Sequence, residues 1–146
     1  MGSNFLRDSC AVSVSKRTSA SIGFAVPLAI TILVMEDEPL IRMDIADQLQ
    51  NLGFRVIEAA NAREAVAQLD ANNDIQVMFT DVDMPGDMDG LMLAEAVRNR
   101  WPPIKIIVTS GLRGVLLSDM PNGSRCFGKP YKVSDIADAA RELLAA

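Results

Sequence analysis

The sequence contains no histidine. That absence removes Ser-His-Asp and Cys-His nucleophilic catalysis and any histidine-ligated zinc site. It also means that the chain carries no phosphohistidine, so any part in a phosphoryl relay falls to an aspartate. Cysteine is scarce. Cys10 and Cys126 stand far apart with no C-x-x-C spacing, which argues against a zinc or dithiol redox centre and fits a reducing, cytoplasmic location. No apolar run reaches the roughly 18 residues of a membrane-spanning helix. Positive charge is also short: the net charge is -5, whereas a surface that tracks nucleic-acid phosphates is normally basic. Neither DNA nor a membrane is an expected partner.

With 49% hydrophobic and 23% charged residues, a chain of 146 residues suits one globular domain with a short extra segment. Residues 1–21 hold six serines and a single acidic residue, Asp8. Residues 22–35 follow Lys16-Arg17 and faintly resemble a signal peptide, but Pro27 interrupts the run and no small-residue cleavage site follows. Residues 1–28 are therefore expected to form a flexible N-terminal extension, and residues 29–146 the domain.

Within the domain, strand-like and helix-like patterns alternate. Residues 29–35 (AITILVM) are a short run rich in β-branched side chains, suited to a strand buried on both faces. Pro39 opens a helix whose Ile41, Ile45, Leu49 and Leu52 recur at helical spacing, with Gly53 at its end. Residues 54–59 form a second strand, and Asn61 caps a helix over 62–71 with Ala62, Val66 and Leu69 inward. A third strand is expected over 75–80, a loop over 81–89 and a helix over 90–100. Pro102-Pro103 precedes a fourth strand over 104–109, a glycine-flanked weak helix over 112–118, and a last strand over 125–128. Ser134 is expected to cap a final helix with Ile136, Ala139, Ala140, Leu143 and Leu144 as its apolar stripe. Such alternation implies a parallel sheet covered on both faces, with any site beyond the carboxyl ends of the strands.

Those ends carry the chemistry. The first strand ends in Glu36-Asp37-Glu38, the third at Asp81, the fourth at Thr109-Ser110 and the fifth at Lys129-Pro130. Crowded carboxylates raise one another's pKa and need a cation to stay ionised, and an all-oxygen donor set suits Mg²⁺ or Mn²⁺. Lys129 adds an ammonium and Thr109 a hydroxyl donor. A metal, an ammonium and a hydroxyl around one carboxylate suit transfer of a phosphoryl group onto an aspartate, giving an acyl phosphate.

The segments ILVMEDEP, VMFTDVDMPGDMDG, IKIIVTSG and FGKPY, in this order, resemble the receiver domain of bacterial two-component response regulators from about Thr31 to the C-terminus. The resemblance implies a flavodoxin-like α/β/α fold with five parallel strands in the order 2-1-3-4-5. It implies phosphorylation of Asp81 by a histidine kinase or a histidine phosphotransfer protein. It assigns Glu36 and Asp37 to Mg²⁺ together with Asp81 and the backbone carbonyl of Asp83, Thr109 to the switch hydroxyl and Lys129 to the phosphoryl group. With 17 residues after Lys129, a stand-alone receiver signalling to a separate output protein is expected, with a homodimer left open.

Two departures stand out. The acidic pair is Glu-Asp rather than Asp-Asp, and Cys126 occupies the switch position where the family usually has Tyr or Phe. Phe127 is adjacent but points to the opposite face of a strand. Cys126 motivates an alternative, a phosphorylation-independent interaction module. A second alternative is a haloacid dehalogenase-like phosphatase, which Asp81-Val82-Asp83 also resembles. That enzyme class needs further strand-end acids after the lysine, and only Asp135 and Asp138, in a helical segment, follow here. A signalling domain rather than an enzyme is the expectation.

Overall fold

The computed structural model describes residues 29–82, 90–111 and 124–145. The N-terminal extension, most of the loop after Asp81 and the weak helix over 112–118 lie outside them. The elements are β1 (Thr31–Met35), α1 (Pro39–Asn51), β2 (Arg55–Ala59), α2 (Ala62–Ala71), β3 (Val77–Asp81), α3 (Gly90–Arg100), β4 (Lys105–Ser110), β5 (Ser124–Gly128) and α4 (Val133–Ala145). All strand pairs are parallel and the sheet runs β2-β1-β3-β4-β5, the flavodoxin-like order expected above. No helix among the described residues is long and apolar enough to cross a membrane.

Side chains alternate across a strand, so each strand feeds both faces. On one face Leu33, Met35, Met78, Ile106 and Val108 pack with Ala65 and Leu69 of α2 and Leu93 and Val97 of α3. On the other, Ile32, Val34, Val77, Phe79 and Ile107 pack with Ile45 and Leu49 of α1 and Ile136, Ala139 and Ala140 of α4. Three layers result. The central strands β1 and β3 are buried along their whole length, which is why their sequences are continuous apolar runs rather than alternating ones.

Local chemistry sets the helix ends. Asn61 caps α2 by accepting from the Glu64 amide at 2.9 Å, while the Glu64 carboxylate accepts from the Ala60 amide at 2.8 Å. Gly53 takes φ 97° after α1, a conformation that disfavours any side chain. Three expectations need correction. The buried line of α1 is Ile45, Ala46 and Leu49, whereas Ile41 and Leu52 are exposed. Ile41 lines a cleft between α1 and the start of α4, and Leu52 falls past the last turn. Helix α4 begins at Val133, because this residue is drawn into the core, and Lys132 rather than Ser134 supplies the first helical carbonyl. Strand β3 starts two residues later than expected and includes Asp81, because β4 pairs Thr109 with Asp81.

Candidate functional site

The two-residue alternation decides what lies at the rim. In β1 the residues facing α1 and α4 are Ile32 and Val34, so Glu36 follows in the same series. In β3 they are Val77 and Phe79, then Asp81. In β4 Ile107 leads to Thr109, and in β5 Phe127 leads to Lys129. Four chain segments thus deliver an acid, an acid, a hydroxyl and an ammonium to one corner, beyond the carboxyl ends of the strands.

The geometry bears this out. Asp81 is buried, and its Oδ2 pairs with the Lys129 ammonium. Thr109 lies opposite Asp81 in the β3–β4 register, with the Val82 amide donating to the Thr109 carbonyl at 3.0 Å. Lys129 is anchored by its amide, which donates to the Ser110 carbonyl at 3.1 Å. Its side chain then passes over Gly111, where an added Cβ would stand 3.0 Å from Lys129 Cδ. The Lys129-Pro130 peptide is cis.

Glu36 is buried, and its Oε1 accepts from the Glu38 amide at 3.1 Å. Burial pushes its carboxyl above the ordinary range. The Glu38 amide opposes that shift, while the contact with Asp37 and the charges of Asp81 and Asp37 reinforce it. Among the described residues no three acids close into a ready-made metal cage. Lys129 instead meets the charge of Asp81. The donor set nevertheless fits a hard cation: the oxygens are carboxylates, burial of Glu36 disfavours its charged form without a counter-charge, and Mg²⁺ usually keeps several waters and takes only one or two carboxylates. Asp83 lies outside the described residues.

Cys126 is half-buried on the opposite face, packed against the α2–α3 core and in register with Val108, while Phe127 packs on the α1–α4 side. Burial raises its thiol pKa, as for a small packed hydrophobe rather than a reactive thiolate. Asp135 and Asp138 are exposed on α4, and Asp138 faces Arg141, so neither extends the strand-end acid set.

Three residues escaped the reading of the sequence. Gly111 is the passage for Lys129. Tyr131 packs edge-on against Phe79 with ring centroids 5.6 Å apart, and its hydroxyl is pushed up to about 12 by burial and by the charges of Glu36, Asp81 and Asp44. Arg42, in α1, donates to the Glu36 main-chain oxygen at 2.8 Å. A signal for Arg42 existed, since a cation in the first turns of a helix opposes the macrodipole and needs a partner to hold it there.

Comparison with known proteins bears on the family of the chain and on its fold. The sequence model of the response regulator receiver domain matches residues 32–120. The response regulator receiver protein CpdR of Brucella abortus is 29% identical over 118 residues, spanning 79% of this chain and 97% of that protein. The chemotaxis protein CheY1 of Helicobacter pylori is 38% identical over 97 residues, 63% of this chain and 77% of that protein. The sensor kinase CckA of Brucella abortus is 33% identical over 119 residues, but the match spans only 12% of that protein. A response regulator receiver protein from Sinorhizobium medicae superposes with a TM-score of 0.73 at 28% identity, covering 81% of this chain and 96% of that one. The Thermotoga maritima response regulator TrrA, solved in complex with Mg(2+)-BeF, superposes with a TM-score of 0.68 at 27% identity, covering 79% and 99%. With the family model spanning most of the domain and the sheet order shared with these structures, the chain belongs to the response regulator receiver domain family, the signalling domain of two-component systems.

Proposed function

We propose that Asp81 accepts a phosphoryl group from the phosphohistidine of a histidine kinase or a histidine phosphotransfer protein, and that the domain then signals in the cytoplasm by changing its binding to a separate output protein. The observation that carries this reading is the Asp81–Lys129 pair at the rim, with Thr109 in register beside it and Glu36 on the same face. A carboxylate oxygen of Asp81 attacks phosphorus, the donor's P–N bond breaks, and its electron pair returns to the imidazole. The product is an acyl phosphate.

Lys129 then moves its charge from the carboxylate to the phosphoryl oxygens, and the Thr109 hydroxyl donates to another of them. Glu36, Asp37, Asp81 and the Asp83 carbonyl would hold Mg²⁺, which when bound neutralises the carboxylates and the incoming phosphoryl oxygens. Phosphorylation adds roughly 1.5 to 2 negative charges at one rim, enough to bias a surface with two arrangements. Cys126 replaces the ring that usually accompanies movement of the switch hydroxyl, so coupling from Thr109 to the output surface is weaker or differently built than in relatives with Tyr or Phe there.

Incubation with Mg²⁺ and acetyl phosphate, followed by intact-mass measurement, tests the reading. The expected result is a single phosphoryl adduct, absent in Asp81→Asn and absent after chelation of the metal. No Asp81-dependent adduct would instead favour a phosphorylation-independent interaction module, and continuous release of phosphate from generic esters would favour a phosphatase.

A further inference from the structure

Arg42 is unusual in position and in partners. Its amide makes the ordinary helical bond to the Glu38 carbonyl at 2.9 Å. Its guanidinium does something else. Nη1 donates to the Glu36 main-chain oxygen at 2.8 Å, and Nε donates to Glu58 Oε1 at 3.2 Å. Glu58 belongs to β2 and alternates with Ile57 and Ala59, which face the α2–α3 core, so it stands on the α1 face. Arg42 therefore bridges from α1 to the end of β2 across the acidic loop.

Glu36 is tied at three points, one of them Arg42. The Glu36 amide donates to the Ala59 carbonyl at 3.1 Å, continuing the sheet by one rung. The Glu36 carboxylate turns back onto the Glu38 amide. The Glu36 carbonyl points to Arg42. With all three groups engaged, the backbone path into Asp37 is held. The Arg42 side chain is only 18% exposed and the Glu58 side chain 41% exposed. With Glu58 open to solvent, the charge attraction itself is screened and contributes little to folding. The consequence of the bridge is geometric: the fork has a fixed plane, and one edge is occupied by Glu58, so the other edge meets the Glu36 carbonyl in one orientation.

We propose that Arg42, braced by Glu58, is a positioning residue that shapes the loop bearing Glu36 and Asp37 for a divalent cation. This rests on the assignment of that acidic pair to Mg²⁺. The sign of the effect separates positioning from simple electrostatics. Arg42 is a cation beside a cation site, so by charge alone its removal strengthens metal binding. If it holds the loop, removal weakens binding, because Mg²⁺ demands near-ideal octahedral geometry.

Calorimetric titration of the full-length chain with Mg²⁺, without a phosphodonor, reads this directly. Arg42→Gln and Arg42→Lys are both expected to weaken Mg²⁺ binding about tenfold, the usual scale for losing a group that orients a metal ligand. Arg42→Lys keeps the charge and loses only the fork. Glu58→Ala is expected to weaken binding less, and to add nothing in the Arg42→Gln background, since both act through one loop. Thermal unfolding without metal checks that the variants remain folded; Arg42→Lys is the mildest of them. Tighter binding by Arg42→Gln with Arg42→Lys unchanged, or unchanged binding in both, overturns the proposal while leaving the metal site standing. An additive double variant overturns the role of Glu58. A wild-type chain that binds no Mg²⁺ overturns the site assignment, and this inference with it.

Discussion

The two faces of the sheet are built from the same strands and do different work. On the face covered by α2 and α3, the series that ends at the rim runs through Met35, Ala59, Val108 and Cys126, and these residues pack into the apolar core. On the face covered by α1 and α4, the alternate series ends in Glu36, Glu58, Asp81, Thr109 and Lys129. On this second face the series turns from core to charged or hydroxyl groups in the last two residues of each strand or in the residue that follows it. A shift of one residue in any strand would exchange the two sets, so the strand registers that bury the core also assemble the site.

Adjacent residues of β4 offer the sharpest way to break this comparison. Val108 and Thr109 are both buried but face opposite sides. Thr109→Ala is expected to slow labelling of Asp81 by at least about tenfold, as for loss of one donor to developing phosphoryl charge, with little change in melting temperature. Val108→Ala should do the reverse, costing about 2 kcal/mol of stability through lost burial and a residual cavity, with labelling of the folded protein unchanged. Parallel denaturant unfolding and intact-mass time courses measure both. A Val108→Ala variant that folds yet fails to label would show that the two faces do not act independently.

A smaller effect is expected at Gly111. Its Cβ-free backbone lets Lys129 cross to Asp81. Gly111→Ala should displace the ammonium by a few tenths of an ångström and slow labelling several-fold, whereas Gly53→Ala, distant from the rim, should cost stability through its φ of 97° without altering the labelling rate. Equal labelling in the two variants would remove Gly111 from the site.

The subtlest test is optical. Tyr131 is the only tyrosine, so tyrosinate absorbance reports this one ring. Its midpoint is expected near 12 instead of the usual 10. Because the folded pKa lies above the unfolded one, the folded state keeps its proton longer, and stability falls as pH rises from 10 towards 12. Tyr131→Phe should flatten that part of the stability profile. An ordinary midpoint would place the ring outside the field of the site.

Much of this was legible in the residues. Short β-branched runs, Pro39 at a helix start, Asn61 at a cap and the apolar stripe of α4 are local signals, and each reports an element through periodicity or backbone preference. The strand-end positions of Glu36, Asp81, Thr109 and Lys129 followed from the alternation of elements. Less legible was anything that depends on what a neighbouring element covers. Ile41 has the spacing of a core residue, yet α4 leaves it at the edge of a cleft. Val133 looked like a residue before the helix, yet the core drew it in.

The sequence by itself determined the order of elements, the parallel sheet and which residues stand at the strand ends, because these follow from side-chain period and from the chemistry of turns. Only the tertiary structure decided that Lys129 pairs with Asp81 by crossing Gly111, that Tyr131 feels the acids, and that Arg42 holds the Glu36 carbonyl from another element. These contacts join residues far apart in the chain or set the direction of one side chain. Neither is encoded in a local period; both arise when the strands lock into register and the helices close over them.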